Sequence, residues 1–186
     1  IKDLKDPKAP LVTILNDYSS DTSVIDVKGD KLYLFTNLNA PNGKVVVTDI
    51  KTPTPDHWKD LIPETENVLD VITAGGYILA KYTVAALTEV KQYDFTGKFI
   101  RDIKLPSIGV AGGFSAKENQ KDTYFWFTNT CTPTSIYKLN LESGETTQYW
   151  KPSINFNSDE YESKQVFYTS KDGTKVPMTI TYKKTT

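Results

Sequence analysis

Residues 23–36 read Ser-Val-Ile-Asp-Val-Lys-Gly-Asp-Lys-Leu-Tyr-Leu-Phe-Thr, two short apolar runs on either side of a Gly29-Asp30 pair. Apolar residues with a period of two form one face of a β-strand. Glycine readily adopts the positive φ that a tight turn requires. The stretch therefore predicts a β-hairpin and indicates that the fold is built from antiparallel strands.

The same order of runs and turns occurs three times. Strands are predicted at 23–28, 31–36, 44–49 and 57–62, at 68–73, 77–82, 90–94 and 99–104, and at 109–115, 123–128, 135–140 and 146–150. Phe35, Lys81 and Phe127 follow one another at 46-residue intervals, and Thr36-Asn37 recurs as Thr128-Asn129. Four short strands in each repeat of about 45 residues are typical of a β-propeller blade. A generic antiparallel meander with coincidental spacing is the alternative.

The third strand of each repeat ends in Asp49, Asp94 or Asn140. Such side chains hydrogen-bond to the backbone two residues on, and so start the turn before the outer strand. Residues 84–91 could make two helical turns. Because the segment is short and lies between strands two and three, we expect a loop or a bent strand edge there.

Neither end of the sequence completes a repeat. Residues 1–22 are expected to supply one strand, at 11–15, as the outer strand of a preceding blade. Residues 151–164 are polar and predict a linker. The runs at 165–169 and 176–182 flank Asp172-Gly173 and predict a terminal hairpin. Because a lone hairpin is marginal in water, these strands are interpreted as the start of a further domain.

The composition indicates a globular protein of balanced charge. There are 22 basic and 23 acidic residues, interspersed, for a net charge of −1. This predicts no nucleic-acid partner and no binding to anionic lipid, and no apolar run is long enough to span a bilayer. The single Cys131 excludes an internal disulfide. It favours a cytoplasmic location, with the periplasm as the alternative.

No self-contained active site is predicted. The run nearest to a Gly-x-Ser-x-Gly elbow is 112–116, where Ser115 lacks the second glycine. His57, the only histidine, lies in a Pro-rich entry to an outer strand, and Cys131 has no histidine near it in sequence. We expect catalytic, cofactor and metal sites to be absent from the chain. The acid pairs Asp159-Glu160 and Glu64/Glu66 are expected to be solvated charges.

Four segments resemble the prolyl oligopeptidase family of serine peptidases. They are Leu-Tyr-Leu-Phe-Thr-Asn-Leu-Asn-Ala-Pro-Asn at 32–42, Trp-Lys-Asp-Leu-Ile-Pro-Glu at 58–64, the Phe, Thr, Pro and Tyr pattern at 125–137, and Val-Phe-Tyr-Thr-Ser-Lys-Asp-Gly-Thr-Lys-Val-Pro-Met at 166–178. The resemblance runs in order along nearly the whole chain. The 166–178 segment resembles the family's junction between propeller and hydrolase domains.

The resemblance implies a domain plan. The chain would be a fragment with the last three of seven propeller blades, at 23–65, 66–107 and 108–150, after an outer strand in 1–22. An interdomain linker would follow at 151–164, with 161–164 near the hinge. The first strands of a truncated α/β-hydrolase domain would occupy 165–186.

The resemblance also implies a function. The parent enzyme would hydrolyse short peptides after proline, with its propeller limiting access to the catalytic cavity, and its triad would lie beyond residue 186. The partners would be the hydrolase domain and the remaining blades. An independent protein-interaction or scaffolding propeller is the alternative. Three blades have open faces, so the isolated chain is expected to self-associate.

Overall fold

The structure is a computed structural model that describes residues 1–184. It contains fourteen strands and two short 3-10 turns, at Pro55–His57 and Ser158–Glu160, among these residues. The strands are β1 Thr22–Lys28, β2 Lys31–Thr36, β3 Lys44–Asp49, β4 Lys59–Ile62, β5 Val68–Ala74, β6 Tyr77–Val84, β7 Leu87–Tyr93, β8 Phe99–Asp102, β9 Val110–Gly113, β10 Asp122–Thr128, β11 Ser135–Asn140, β12 Thr146–Trp150, β13 Tyr161–Thr169 and β14 Lys175–Lys183.

The strands form three four-stranded sheets and one two-stranded sheet. Each four-stranded sheet follows chain order, β1–β4, β5–β8 and β9–β12, and we call these blades 1, 2 and 3. β13 and β14 form a terminal hairpin. The prediction of an all-β fold with four-stranded antiparallel blades is confirmed. The chain divides into two compact units, Ile1–Val71 and a second that begins at Ile72.

Residues 84–91 form a tight β-hairpin in place of the expected loop or bent strand edge. Val84 pairs with Leu87 across a two-residue turn at Ala85-Ala86. Both alanines have positive φ, 48° and 66°. A two-residue turn of this kind matches the twist of its strands, although the left-handed conformation is unfavourable for alanine. The strand pairing therefore outweighs the local preference.

The strand register corrects one alignment. Phe35 pairs with Val45, Lys81 with Val90 and Trp126 with Ile136, and these partners lie four residues before Asp49, Asp94 and Asn140, respectively. Trp126 is therefore the equivalent of Phe35 and Lys81, and the prediction of Phe127 is wrong by one residue. The Thr-Asn pair misled the alignment because it has a different position in the two blades. In blade 1, Thr36 still pairs with β3, whereas in blade 3, Thr128 lies one residue after the last pair of β10 with β11.

In the first unit, one face of blade 1 is covered by the segment before it. Leu32, Leu34 and Val46 are fully buried, and Ile14, Ile50 and Trp58 pack against them. The strand predicted at 11–15 is absent, since Val12 makes one pair of backbone hydrogen bonds with Ile1 and no ladder. The apolar side chain of Ile14 therefore covers a face that was expected to be open. The origin of 1–22 in a preceding blade stays a prediction.

In the second unit, blades 2 and 3 pack face to face. Phe125 and Phe127 of β10 are buried, and the alternate residues Tyr124 and Trp126 face outward. The shared cluster consists of Ala74, Leu79, Val90 and Ile103 from blade 2 with Ala111, Phe114, Phe125, Phe127, Tyr137, Leu139 and Leu141 from the third repeat. Phe114 stacks on Phe125 with ring centroids 4.6 Å apart. This cluster fixes the positions of the loops at the ends of both blades.

The terminal hairpin is longer than predicted. Its ladder runs from the pair Tyr161–Lys183 to the pair Thr169–Lys175, so β13 begins four residues before the expected strand. Polar residues at 161–164 concealed this start because both faces of an exposed two-stranded ladder can be polar. The turn at Asp172-Gly173 is confirmed, with a φ of 88° at Gly173. The predicted hydrolase start at 165–186 includes two residues outside the described part.

Candidate functional site

The side chains considered as catalytic candidates, Ser115, His57 and Cys131, are each described by their local contacts. Ser115 is exposed after β9, and its backbone carbonyl accepts a hydrogen bond from the Thr123 hydroxyl at 3.0 Å. His57 ends a 3-10 turn, where its Nδ1 lies 3.2 Å from both the Asp56 carboxylate and the Thr54 hydroxyl. Within the first unit, Ile1–Val71, the hydrogen-bond partners of the His57 ring are thus a threonine and an aspartate.

The acid pairs have ordinary structural partners. The Glu64 carboxylate accepts a hydrogen bond from the Asn42 backbone N–H at 2.7 Å. Glu160 forms an ion pair with Lys183 at 2.8 Å, which lowers the pKa of the Glu160 carboxyl. Among residues 1–184, no group of three His, Cys, Asp or Glu residues could hold a metal ion. The same residues form no helix that could span a membrane.

Cys131 lies beside a cavity where the hairpin meets blade 3. The cavity has a volume of about 580 Å³, and Cys131, Tyr137 and Ser163 are among the residues that line it. The thiol is almost buried, with its Sγ 3.4 Å from the Ser163 hydroxyl and from Asn129 Oδ1. Asn129 shapes this loop because its Oδ1 also accepts the backbone N–H groups of Cys131 and Thr132. Cys131 is thus a packed residue at a contact between two elements.

Two side chains of β13 bind the strand ends of two different blades. The Ser163 hydroxyl lies 2.9 Å from the Thr130 hydroxyl in the β10–β11 loop. The Gln165 side-chain amide donates to the backbone carbonyl of Ala85 in the β6–β7 turn, at 2.8 Å. Neither contact could be predicted from the sequence, because a serine and a glutamine on a polar strand match no motif.

The outward face of blade 3 is rich in aromatic residues. Tyr124 and Trp126 are 45% and 38% exposed, and Tyr124 makes an edge-on contact with Tyr149 at a centroid distance of 4.9 Å. Lys138 pairs with Asp122 at 2.7 Å, which lowers the pKa of the Asp122 carboxyl and raises that of Lys138. A surface that exposes aromatic side chains and carries little net charge is typical of protein–protein contact surfaces. The alternation Tyr-Phe-Trp-Phe in β10 could have revealed this face.

Three consecutive four-stranded antiparallel sheets, of which blades 2 and 3 pack face to face, define this chain as part of a β-propeller protein. The family model described as prolyl oligopeptidase, N-terminal beta-propeller domain, matches residues 1–152. The chain therefore belongs to the prolyl oligopeptidase family, within the propeller domain of that family.

The relatives and a solved structure agree with this assignment. The chain is 47% identical to the prolyl endopeptidase of Elizabethkingia miricola and 48% identical to that of Elizabethkingia meningoseptica, in each case over 184 residues that make up 99% of this chain and 26% of the relative. The apo structure of prolyl oligopeptidase B from Galerina marginata matches with a TM-score of 0.84 at 28% identity, over 97% of this chain and 26% of that one. The chain thus spans about a quarter of the length of these proteins.

Proposed function

We propose that this chain is the non-catalytic propeller part of a serine endopeptidase that hydrolyses short peptides after proline. The observation that carries the proposal is the identity of 47% and 48%, over nearly the whole chain, to two proteins named prolyl endopeptidase. The local contacts of His57 and Cys131, which are with polar side chains other than a Ser-His or Cys-His partner, support a non-catalytic role. The propeller would limit access to the catalytic cavity.

We further propose that the hydrolase domain of the same polypeptide is the principal partner of this chain. The relatives are about four times as long as the chain, which leaves room for that domain and for further blades. The hairpin β13–β14 would be the first element of the hydrolase domain, as its resemblance to the family junction implies. Location in the cytoplasm, with the periplasm as the alternative, stays a prediction.

The non-catalytic role is tested by assaying the isolated chain with a fluorogenic peptide that contains proline. We expect no saturable turnover, and the variants Ser115→Ala and His57→Ala serve as controls. Turnover that either substitution abolishes would show that the substituted residue is catalytic. Turnover that survives both would show an active site elsewhere in the chain.

An independent protein-interaction propeller is the second candidate, and the exposed aromatic face of blade 3 favours it. The coding sequence after residue 186 distinguishes the peptidase from the independent interaction propeller. A Gly-x-Ser-x-Gly elbow within about the next 150 residues supports the peptidase. Further repeats of the same period, without that elbow, support the interaction propeller.

A further inference from the structure

We propose that the hairpin β13–β14 is an arm held on blades 2 and 3 by two anchor residues, Ser163 and Gln165, and that it leaves this position as a unit while the blades stay folded. The two side chains are two residues apart in β13 and therefore lie on the same face of the strand. One binds blade 3 and the other binds blade 2, so the arm bridges both.

The first anchor is a ring of three hydroxyl groups. Ser163 lies 2.9 Å from both Thr130 and Thr181, and Thr130 and Thr181 are also in hydrogen-bond contact. Each of the three hydroxyl groups has one donor, so each of the three contacts in the ring can be a hydrogen bond. Thr181 belongs to β14, so this anchor ties both strands of the arm to the β10–β11 loop. Beneath it lies the thiol of Cys131.

The second anchor binds a turn with an unfavourable backbone. Ala85 and Ala86 both have positive φ. Non-glycine residues in this conformation persist where the surrounding structure holds them. The Gln165 side chain donates to the carbonyl of Ala85 and so satisfies a backbone acceptor of this turn. The unfavourable turn thus places a hydrogen-bond acceptor where the arm can reach it.

The composition of the contact explains how the arm can leave without unfolding the blades. The apolar cluster of blades 2 and 3 contains no residue of the hairpin among those described. Large side chains of the hairpin, such as Phe167, Met178 and Ile180, are exposed instead. The anchors are polar, and water can replace their hydrogen bonds when the arm leaves. Elements with few buried apolar contacts open locally at low free energy.

Cys131 reports whether the arm is in place, because it is the only cysteine and is nearly buried under Ser163. The test measures the rate at which iodoacetamide alkylates Cys131 in the folded chain. Gln165→Ala is the decisive variant, since Gln165 donates to Ala85 on the other blade. Loss of one such hydrogen bond should raise the alkylation rate about fivefold. Lys164→Ala, an exposed position between the anchors, is the matched control and should leave the rate unchanged.

Hydrogen exchange in the same variants establishes whether the arm moves as a unit. A two-stranded hairpin that has left the blades is marginally stable in water, so its ladder hydrogen bonds then open. In Gln165→Ala, amides of both β13 and β14 should therefore lose protection, while those of Phe125 and Phe127 in the blade core keep theirs. If Ser163→Ala speeds alkylation and Gln165→Ala does not, Ser163 is only a local cover and the proposal is wrong. Equal loss of protection in the arm and in β10 would also overturn it, because the arm would then open only when the blades unfold.

In a polypeptide that continues into the hydrolase domain proposed above, the two anchors would position that domain's first strands on blades 2 and 3. This consequence rests on the proposed function. The anchors themselves are tested without any measurement of peptidase activity, so the two proposals can fail separately.

Discussion

The side-chain amide of Gln92 donates a hydrogen bond to the backbone carbonyl of Leu141 at 2.7 Å, and this bond joins blades 2 and 3 inside their shared apolar cluster. Gln92 is fully buried, and its Oε1 has no hydrogen-bond partner among the described residues. A buried polar group of this kind is tolerated while it is neutral and becomes unfavourable when it is charged. The contact between the blades therefore depends on an uncharged side chain at this position.

Gln92→Glu should destabilise the chain in a pH-dependent manner. Burial raises the pKa of a carboxyl group in the folded state above its unfolded value of about 4.3. The variant should therefore be close to the parent chain below about pH 4, and lose stability as the pH rises from there through the folded pKa. We expect a loss of about 3 kcal/mol at pH 7, measured by urea unfolding. The exposed Gln120→Glu is the control, and an equal loss at pH 4 and pH 7 would contradict the prediction.

Gly43→Ala should be more destabilising than Gly29→Ala. Both glycines have positive φ, 87° and 58°, so alanine is unfavourable at each by about 1 kcal/mol. At Gly43 a Cβ atom would also lie 2.5 Å from the ring of Phe35, whereas nothing lies within 4 Å at Gly29. Overpacking of this kind adds about 1–3 kcal/mol. Unfolding free energies of the two variants check this, and equal losses would show that Phe35 moves aside.

Replacing Ala85-Ala86 by Asn-Gly should stabilise the chain. Both positions require positive φ, which Asn and Gly adopt with less strain than alanine in a two-residue hairpin. We expect a gain of about 1 kcal/mol in unfolding free energy, and the Gln165 hydrogen bond is retained because it uses the backbone carbonyl. A thermal melt of the double variant checks the gain. A decrease in stability would indicate that the alanine methyl groups make contacts that matter more than the strain.

The isolated chain should self-associate as its concentration rises. The outward face of blade 3 exposes Tyr124 and Trp126, and apolar surface of this kind is seldom left open. Light scattering over a concentration series should show an increasing mass, and Trp126→Lys should reduce it. Tyr168→Lys, on the exposed hairpin, tests strand exchange as the other route. A strictly monomeric mass at high concentration would contradict the prediction.

The three-blade plan could be predicted from the sequence because its signals are local. Period-two runs set each strand. Asp49 and Asn140 end the third strand of their blades, and Asp94 directly follows the end of β7. The prediction of an all-β fold depends on these signals alone. The Thr-Asn pair failed as a marker because a loop motif can shift by one residue against the ladder, and a shift of one moves every side chain to the other face of the strand.

The contacts between elements could not be predicted in the same way. Gln165 reaches a turn eighty residues earlier in the chain, and Gln92 reaches Leu141 forty-nine residues later. Such pairs depend on how the blades pack, and neither glutamine belongs to a local pattern. The segment at 11–15 shows the same effect, since its apolar residues suit either a strand or a covering segment, and contact with blade 1 decided between them.

The proposed role as the access-limiting part of a prolyl endopeptidase is tested most directly with the full-length polypeptide that contains this chain. The rate of cleavage after one proline is measured in a short free peptide, and again with the same sequence placed in a surface loop of a folded protein. We expect cleavage after proline in the short peptide and none in the folded host. Cleavage of both at equal rates, or no cleavage after proline in the short peptide, would contradict the proposed function.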